Sequence, residues 1–252
     1  MKKSKTELVF HITLDILSTT TVMLSLAVCI HCSNPRTNSH SRQSQIRNLQ
    51  NLSCIRLAFS QYAHEHNGYL PPAYTVDDQG NRLHSWRALL LPYLGEVELY
   101  ESINFSQPWN HEDNRLAASS IPDCYQVYDP NIVSQFTTTM VPQTAESLFP
   151  DETQTMPGLE AFSNRSSSSL LIIQVDSEEA VHWMSPNDAN LRILRKMVSQ
   201  TVPVEYTALT IGGHSQPISS TLPYNVLKSL ASEEPYERRI LEIYLSQAGG
   251  TP

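Results

Sequence analysis

The segment Asn51 to Pro72, NLSCIRLAFSQYAHEHNGYLPP, constrains the fold of this chain more than any other. Counted from a little upstream, apolar residues fall at Ile46, Leu49, Leu52, Ile55, Phe59 and Tyr62. Steps of three and four predict a helix with one apolar stripe, whose other face carries Arg47, Gln50, Ser53, Ser60 and Gln61. Gly68 and then Pro71-Pro72 stop it, because neither residue type continues a helix. Such a stripe has to dock on a sheet or on other helices, and the expected span of this spine is about 44–66.

Upstream, residues 8–30 are mostly apolar and follow Lys2, Lys3 and Lys5. A bilayer-crossing helix needs about 20 predominantly apolar residues. This window has that length but holds His11, Asp15 and the cluster Ser18 to Thr21. Three readings stay open: an uncleaved single-span anchor, a cleaved secretory or lipoprotein signal, and a buried core helix. Val28 is bulky for the position before a lipid-modified Cys29. The expected organisation is a membrane anchor or signal segment at 1–32 followed by one exported head domain at 33–252, outside the cytoplasm.

The three lysines offset Glu7 and Asp15 to leave this first segment at +1, so the head carries the rest of the net −8 as 14 basic and 23 acidic side chains, net −9. An acidic head repels phosphate backbones, which argues against nucleic acid as a partner. Four cysteines in 252 residues are too few for a disulfide scaffold, and Cys29 and Cys32 form a CxxC without a second pair to complete a zinc site.

Along the head, Ser85 is placed to cap a helix at Trp86 to Leu91, which Pro92 and Gly95 break. A short helix is expected from Val97 to Ile103, and another turn through Arg115 to Ser119, capped by Asn110 or Asp113. Strands are expected at Ser134 to Val141, at Ser169 to Val175 and at Val204 to Leu209. The middle one is apolar on both faces and reads as a central strand. Glu234 to Leu245 has helical spacing, with Gly249-Gly250 as its stop. Helices first and strands later make the fold class α+β.

Several blocks resemble a planctomycete family of pseudopilin-like exported proteins whose domain has no assigned function. The carrying residues are Asn51-Leu52, Leu57-Ala58, Tyr62, Gly68 and Pro71-Pro72-Ala73, then His84-Ser85-Trp86-Arg87 and Leu90-Leu91-Pro92-Tyr93-Leu94. Leu99-Tyr100, Pro108-Trp109, Asn114-Arg115, Asp129-Pro130, Ala180-Val181-His182-Trp183 and Arg239 to Gly250 are similar to later family segments. The resemblance implies a type IV pilin-like head: a long N-terminal helix packed on an antiparallel β-sheet, with extra short helices.

The chain also departs from the family pattern. Ile12-Thr13-Leu14-Asp15 lacks the glycine of a prepilin signal. Asn48 and Gln126 stand where the family often has cysteines, with Cys54 and Cys124 nearby as substitutes for such a pair. His214 after Gly212-Gly213 fits a late family histidine, but Leu230-Ala231 stands where the family's Asp-Gly would be. Leu-Ala does not favour the tight hairpin turn that Asp-Gly does, so that region is expected to be altered, toward helix.

Chemical motifs are sparse. His64-Glu65-His66 sits on the helix, where positions i and i+2 point about 200° apart and cannot share an ion. His111-Glu112-Asp113 reads as helix-start chemistry. Asp176, Glu178, Glu179 and His182, following the strand 169–175, form the one cluster that invites metal or acid–base work. GxSxG, HExxH and phosphate-binding glycine loops are missing, and the serines at 166–169 have no catalytic context. Trp86, Trp109 and Trp183 read as stabilisers of the head.

The leading expectation is a non-enzymatic, cell-envelope pseudopilin-like protein, structural or secretion-associated, with the membrane and proteins as partners. It names no catalytic residue, metal ligand or cofactor. The rival is an exported ligand- or Ca²⁺-binding module or hydrolase using the acidic loop 176–182.

Overall fold

The structure, a computed structural model, describes residues 35–127, 129, 132–145, 147–150 and 169–231. The expected anchor with its Cys29 and Cys32, the serines 166–168 and the helix at 234–245 lie outside the described residues. The chain divides after Arg47 into two units, and every element below except the start of the first helix belongs to the second, from Asn48 onward.

Helix α1 runs Pro35–Glu65, starting earlier than its apolar pattern indicates. Proline suits a first helical turn because its missing N–H would have no intrahelical partner there. The C-terminal end closes with Asn67 at φ +52° and Gly68 at φ +86°, and the Gly68 N–H donates to the Ala63 carbonyl at 2.6 Å. Leu52, Ile55, Ala58, Phe59 and Tyr62 are buried, and Ser53, Ser60 and Gln61 are exposed. Ile46 and Leu49, by contrast, are 50% and 40% exposed. Steps of exactly three residues turn the stripe back by about 60° each, so Ile46 points roughly opposite to Ile55. The single continuous stripe is therefore corrected to a buried arc that begins at Leu52.

Short elements follow α1. Strands β1 (Tyr74–Val76) and β2 (Arg82–Ser85) pair antiparallel, and β2 leads directly into α2 (Trp86–Leu89). Ser85 caps α2 as expected, accepting the Arg87 N–H at 3.1 Å. A 3₁₀ turn, Leu91–Leu94, carries Pro92 and ends at Gly95 with φ +81°, after which α3 spans Val97–Glu101. The turn at Arg115, α4 (Arg115–Ala118), is capped by neither Asn110 nor Asp113: its N-cap is Asn114, without a side-chain bond. His111 caps the 3₁₀ turn Glu112–Asn114 just before it, its Nδ1 accepting the Asp113 N–H at 3.3 Å. A further 3₁₀ turn covers Asp123–Tyr125.

The expected strand 134–141 is two strands, β3 (Phe136–Thr137) and β4 (Thr139–Met140). Thr138 is the switch: β3 pairs with β7 (Val181–His182), whereas β4 pairs with β6 (Leu170–Gln174). Next comes β5 (Pro142–Gln143), parallel to β8 (Ala189–Asn190). The main sheet has the order β10-β9-β6-β4 with every neighbour antiparallel, where β9 is Glu205–Thr210 and β10 is Ser215–Ser219. Pro217 is accommodated because β10 is an edge strand, where a missing N–H costs no ladder bond on the open side.

Strand β6 is central and buried on both faces, as its apolar run predicts. A register shift between Leu170 and Ile172 sends Leu171 and Ile172 to one face and Leu170 and Ile173 to the other. On the first face lie Leu52, Ile55 and Phe59 of α1 with Trp86, Leu91, Phe149 and Trp183. Phe59 stacks on Trp86 at 4.9 Å between centroids. On the second lie α5 (Leu191–Met197) and α6 (Tyr224–Ala231), through Ile193, Leu194, Met197, Val226, Leu227 and Leu230. The segment containing Leu230-Ala231 is thus helix, in line with its departure from the hairpin sequence. Fold class is α+β with an antiparallel main sheet.

The β9–β10 turn contains Gly213 at φ +85°, and a Cβ there would stand 2.9 Å from Arg56 Nε on α1. Gly213→Ala is expected to lower stability by about 1–3 kcal/mol, since an L side chain is strained at that φ. The guanidinium can swing away, so most of the loss should persist in an Arg56→Ala background; chemical denaturation of the two variants measures this.

Candidate functional site

The block His84 to Arg87 meets a carboxylate that sequence reasoning missed, Asp188. Trp86, Arg87 and Asp188 are fully or almost fully buried. Arg87 Nη2 donates to Asp188 Oδ1 at 2.8 Å, and Trp86 Nε1 donates toward both carboxylate oxygens, at 3.1 and 3.2 Å. The Val141 backbone N–H adds a bond to Oδ1 at 2.9 Å. Arg87 also donates through Nε and Nη2 to the Thr139 carbonyl, at 3.0 and 2.8 Å. Burial pushes the Asp188 carboxyl up, and the Arg87 charge with these donors pulls it back. Nothing in the spacing of residues 183–190 marks Asp188; its value comes from where the fold places Trp86 and Arg87.

The acidic loop is dispersed rather than convergent. Glu179 accepts from Arg192 at 2.6 and 3.2 Å and from Lys196 at 2.8 Å, and Glu178 accepts from Lys196 at 2.9 Å. The bonds from Arg192 hold the Glu179 carboxyl down at about 2, with Lys196 assisting against burial. Asp176 accepts from the Tyr206 hydroxyl at 2.8 Å. That contact, after burial, keeps the Tyr206 phenol well above its ordinary value. His182 stacks on Trp109 at 4.4 Å, and burial pushes its pKa down. Both basic partners of the glutamates come from α5, a helix that was not foreseen. Its signal was present: Asn190 caps it by accepting the Arg192 and Ile193 N–H groups, and Ile193, Leu194 and Met197 face the core.

The other histidine motifs do local work. His66 Nδ1 donates to the Tyr62 carbonyl at 2.8 Å and its ring stacks on Tyr62 at 3.7 Å. Glu65 accepts from the Tyr93 hydroxyl at 2.8 Å; with burial, this holds that phenol up at about 12. His64 is exposed, and His111 is the cap already described. Among the described residues, no three His, Cys, Asp or Glu side chains converge to hold a metal ion. Cys54 and Cys124 are free thiols, the first exposed and the second half-buried, and burial together with nearby Cys54 pushes the Cys124 thiol up. Trp86 and Trp183 are fully buried, and Trp183 Nε1 donates to the Ala118 carbonyl at 3.1 Å.

A cleft of about 330 Å³ opens beside these groups, and its wall includes Gln143, Glu179, Asn187, Asp188, Asn190 and Arg192. Gln143 is only 4% exposed, and its Nε2 is buried without a hydrogen-bond partner.

Two measurements test the electrostatics. Asp188→Ala leaves the Arg87 charge buried and unmatched, and should cost about 3–5 kcal/mol in denaturant unfolding. Glu179→Gln should cost roughly 1 kcal/mol at neutral pH, because this pair is partly open to solvent. A depressed carboxyl stabilises the fold above its ordinary value of 4.5, and that contribution vanishes as pH falls toward about 2. The gap between Glu179→Gln and the parent should therefore close across that window.

Comparison with known proteins returned the family described as "Protein of unknown function (DUF1559)", matching residues 42–168. No match was found to a curated protein or to a solved structure. The matched stretch, half of the chain, contains the spine helix and the His84 to Arg87 block, and the chain belongs to the DUF1559 family.

Proposed function

We propose that this protein is a non-enzymatic, envelope-anchored scaffold of pseudopilin-like type, with residues 1–32 as membrane anchor or signal and the head outside the cytoplasm. The observation that carries this reading is the spine. Helix α1 is 31 residues long, and from Leu52 to Tyr62 it lays one arc against the head core. In a pilin-like protein such a helix is the element that continues toward the membrane, and family membership adds support. Among the described residues no helix is long and apolar enough to cross a membrane. The anchor role is assigned to residues 8–30, which have the length for it and are mostly apolar.

Catalysis has little to work with on this reading. A general acid or base is most effective with its pKa near the working pH, and Glu179 is held far below it by Arg192. The same ion pairs weaken the rival calcium reading of loop 176–182, because Glu178 and Glu179 already face cations and Asp176 is engaged by the Tyr206 hydroxyl. Partners are then the membrane and other proteins, including copies of this chain, and not nucleic acid, given the acidic head.

Fractionation of expressing cells, followed by intact-mass determination, tests the proposal. The expected result is protein in the membrane fraction with Met1 retained. A mature start near residue 30 would mean export or lipidation, and one near residue 12 prepilin-type processing. Recovery of the full chain as soluble cytoplasmic protein overturns it.

A further inference from the structure

The cleft beside Asp188 has a use that the scaffold reading does not require. Its charged groups are already matched: Glu179 by Arg192 and Lys196, Glu178 by Lys196, and Asp188 by Arg87. Arg82, also on the wall, lies 4.0 Å above the Tyr74 ring. A free anion or cation entering the cleft would compete with these contacts. What remains is carboxamide chemistry from three side chains.

Those amides offer both hydrogen-bonding roles. Asn190 Oδ1 is engaged as the α5 cap, which leaves its NH₂ as a donor. Asn187 Nδ2 donates to Ser185 Oγ at 2.9 Å, which leaves its carbonyl as an acceptor. Gln143 holds a buried NH₂ with no partner, and an unmet buried donor costs about 1–3 kcal/mol unless something fills the role. The apolar part of the wall is small: Ala180, Val181 and Ile193.

We propose that this cleft binds a neutral saccharide of one or two rings, with Gln143, Asn187 and Asn190 meeting its hydroxyls. A hydroxyl both donates and accepts, as this wall demands. The volume lies at the small end of ligand sites. The short apolar patch suits the C–H face of a sugar. A peptide is less well matched, because strand addition needs a sheet edge of some length, and β5, β7 and β8 have two residues each.

The test uses the full chain in a detergent without sugar headgroups. Glucose, N-acetylglucosamine and cellobiose are titrated separately while the side-chain NH₂ resonances are followed, that of Gln143 being assigned by its loss in Gln143→Leu. Triglycine and inorganic phosphate serve as comparisons. At least one sugar should shift the Gln143 NH₂ pair saturably. Gln143→Leu should abolish the saturable shifts at Asn187 and Asn190 without lowering the melting temperature. Asn187→Ala, at an exposed position, should weaken binding roughly fivefold to tenfold. Silence to all three sugars overturns the proposal, as does a response to triglycine or phosphate alone, or sugar binding of parental strength in both variants.

Discussion

A carboxylate placed where water cannot reach it organises this head. Asp188 would be prohibitively costly alone, since transfer of an ion into a protein interior costs several kcal/mol even after relaxation. It is tolerated because four donor contacts reach it from two remote stretches, Trp86 and Arg87 on α2 and Val141 between β4 and β5, while the Thr139 carbonyl accepts from Arg87 and holds the guanidinium in place. A hydrophobic substitute of equal volume could be as stable, so the pair is better understood as an address than as glue. The placement seen here brings all four donors to the carboxylate at once. That placement sets β5 beside β8 and thereby the wall of the cleft.

Around this clasp the chain uses few long elements. Among the described residues after α1, α-helices run four to eight residues and most strands two to five. Segments this short have little stability of their own, because the first helical turn fixes the dihedrals of three residues in return for one hydrogen bond. Their persistence comes from caps and tertiary partners: Ser85 on α2, His111 before α4, Asn190 on α5, and the indole of Trp183 bonded to the end of α4. Two faces of one sheet then divide the apolar load, α1 and the tryptophans on one side, α5 and α6 on the other.

Much of this architecture was legible in the residues. The arc from Leu52 to Tyr62, the Ser85 cap, the stop at Gly95 and the doubly buried β6 follow from periodicity and turn chemistry, whereas the helix expected to reach Leu91 ends at Leu89 and Pro92 lies inside a 3₁₀ turn. The split of 134–141 at Thr138 did not, because a β-prone run does not record which partner each half will find. Ile46 was misassigned for a geometric reason, the drift of three-residue steps around a helix. Strand β10 was missed because Gln216, Pro217 and the flanking serines carry a poor strand pattern, overridden by pairing along β9. The acidic loop was visible, but its meaning was not: the charges that neutralise Glu178 and Glu179 arrive from α5, 13 to 18 residues further on. Asp188 and Gln143 were beyond sequence reasoning, since their character is given entirely by burial.

The proposed scaffold role and the proposed sugar cleft draw on different parts of the molecule, which makes them compatible. The spine's buried arc serves only the first face of the sheet. The cleft lies between β5, β8, α5 and the acidic turn, around a pair of strands too short to assemble with anything by themselves. Its ion pairs bias the cleft against charge: Arg192 and Lys196 hold the glutamates, so phosphates and divalent ions entering there compete with contacts already made. Hydroxyl-rich neutral molecules meet neither obstacle. A head held at a cell surface by its helix and presenting such a cleft would sort ligands by hydrogen bonds rather than by charge, because Arg192 and Lys196 of α5 already hold the glutamates.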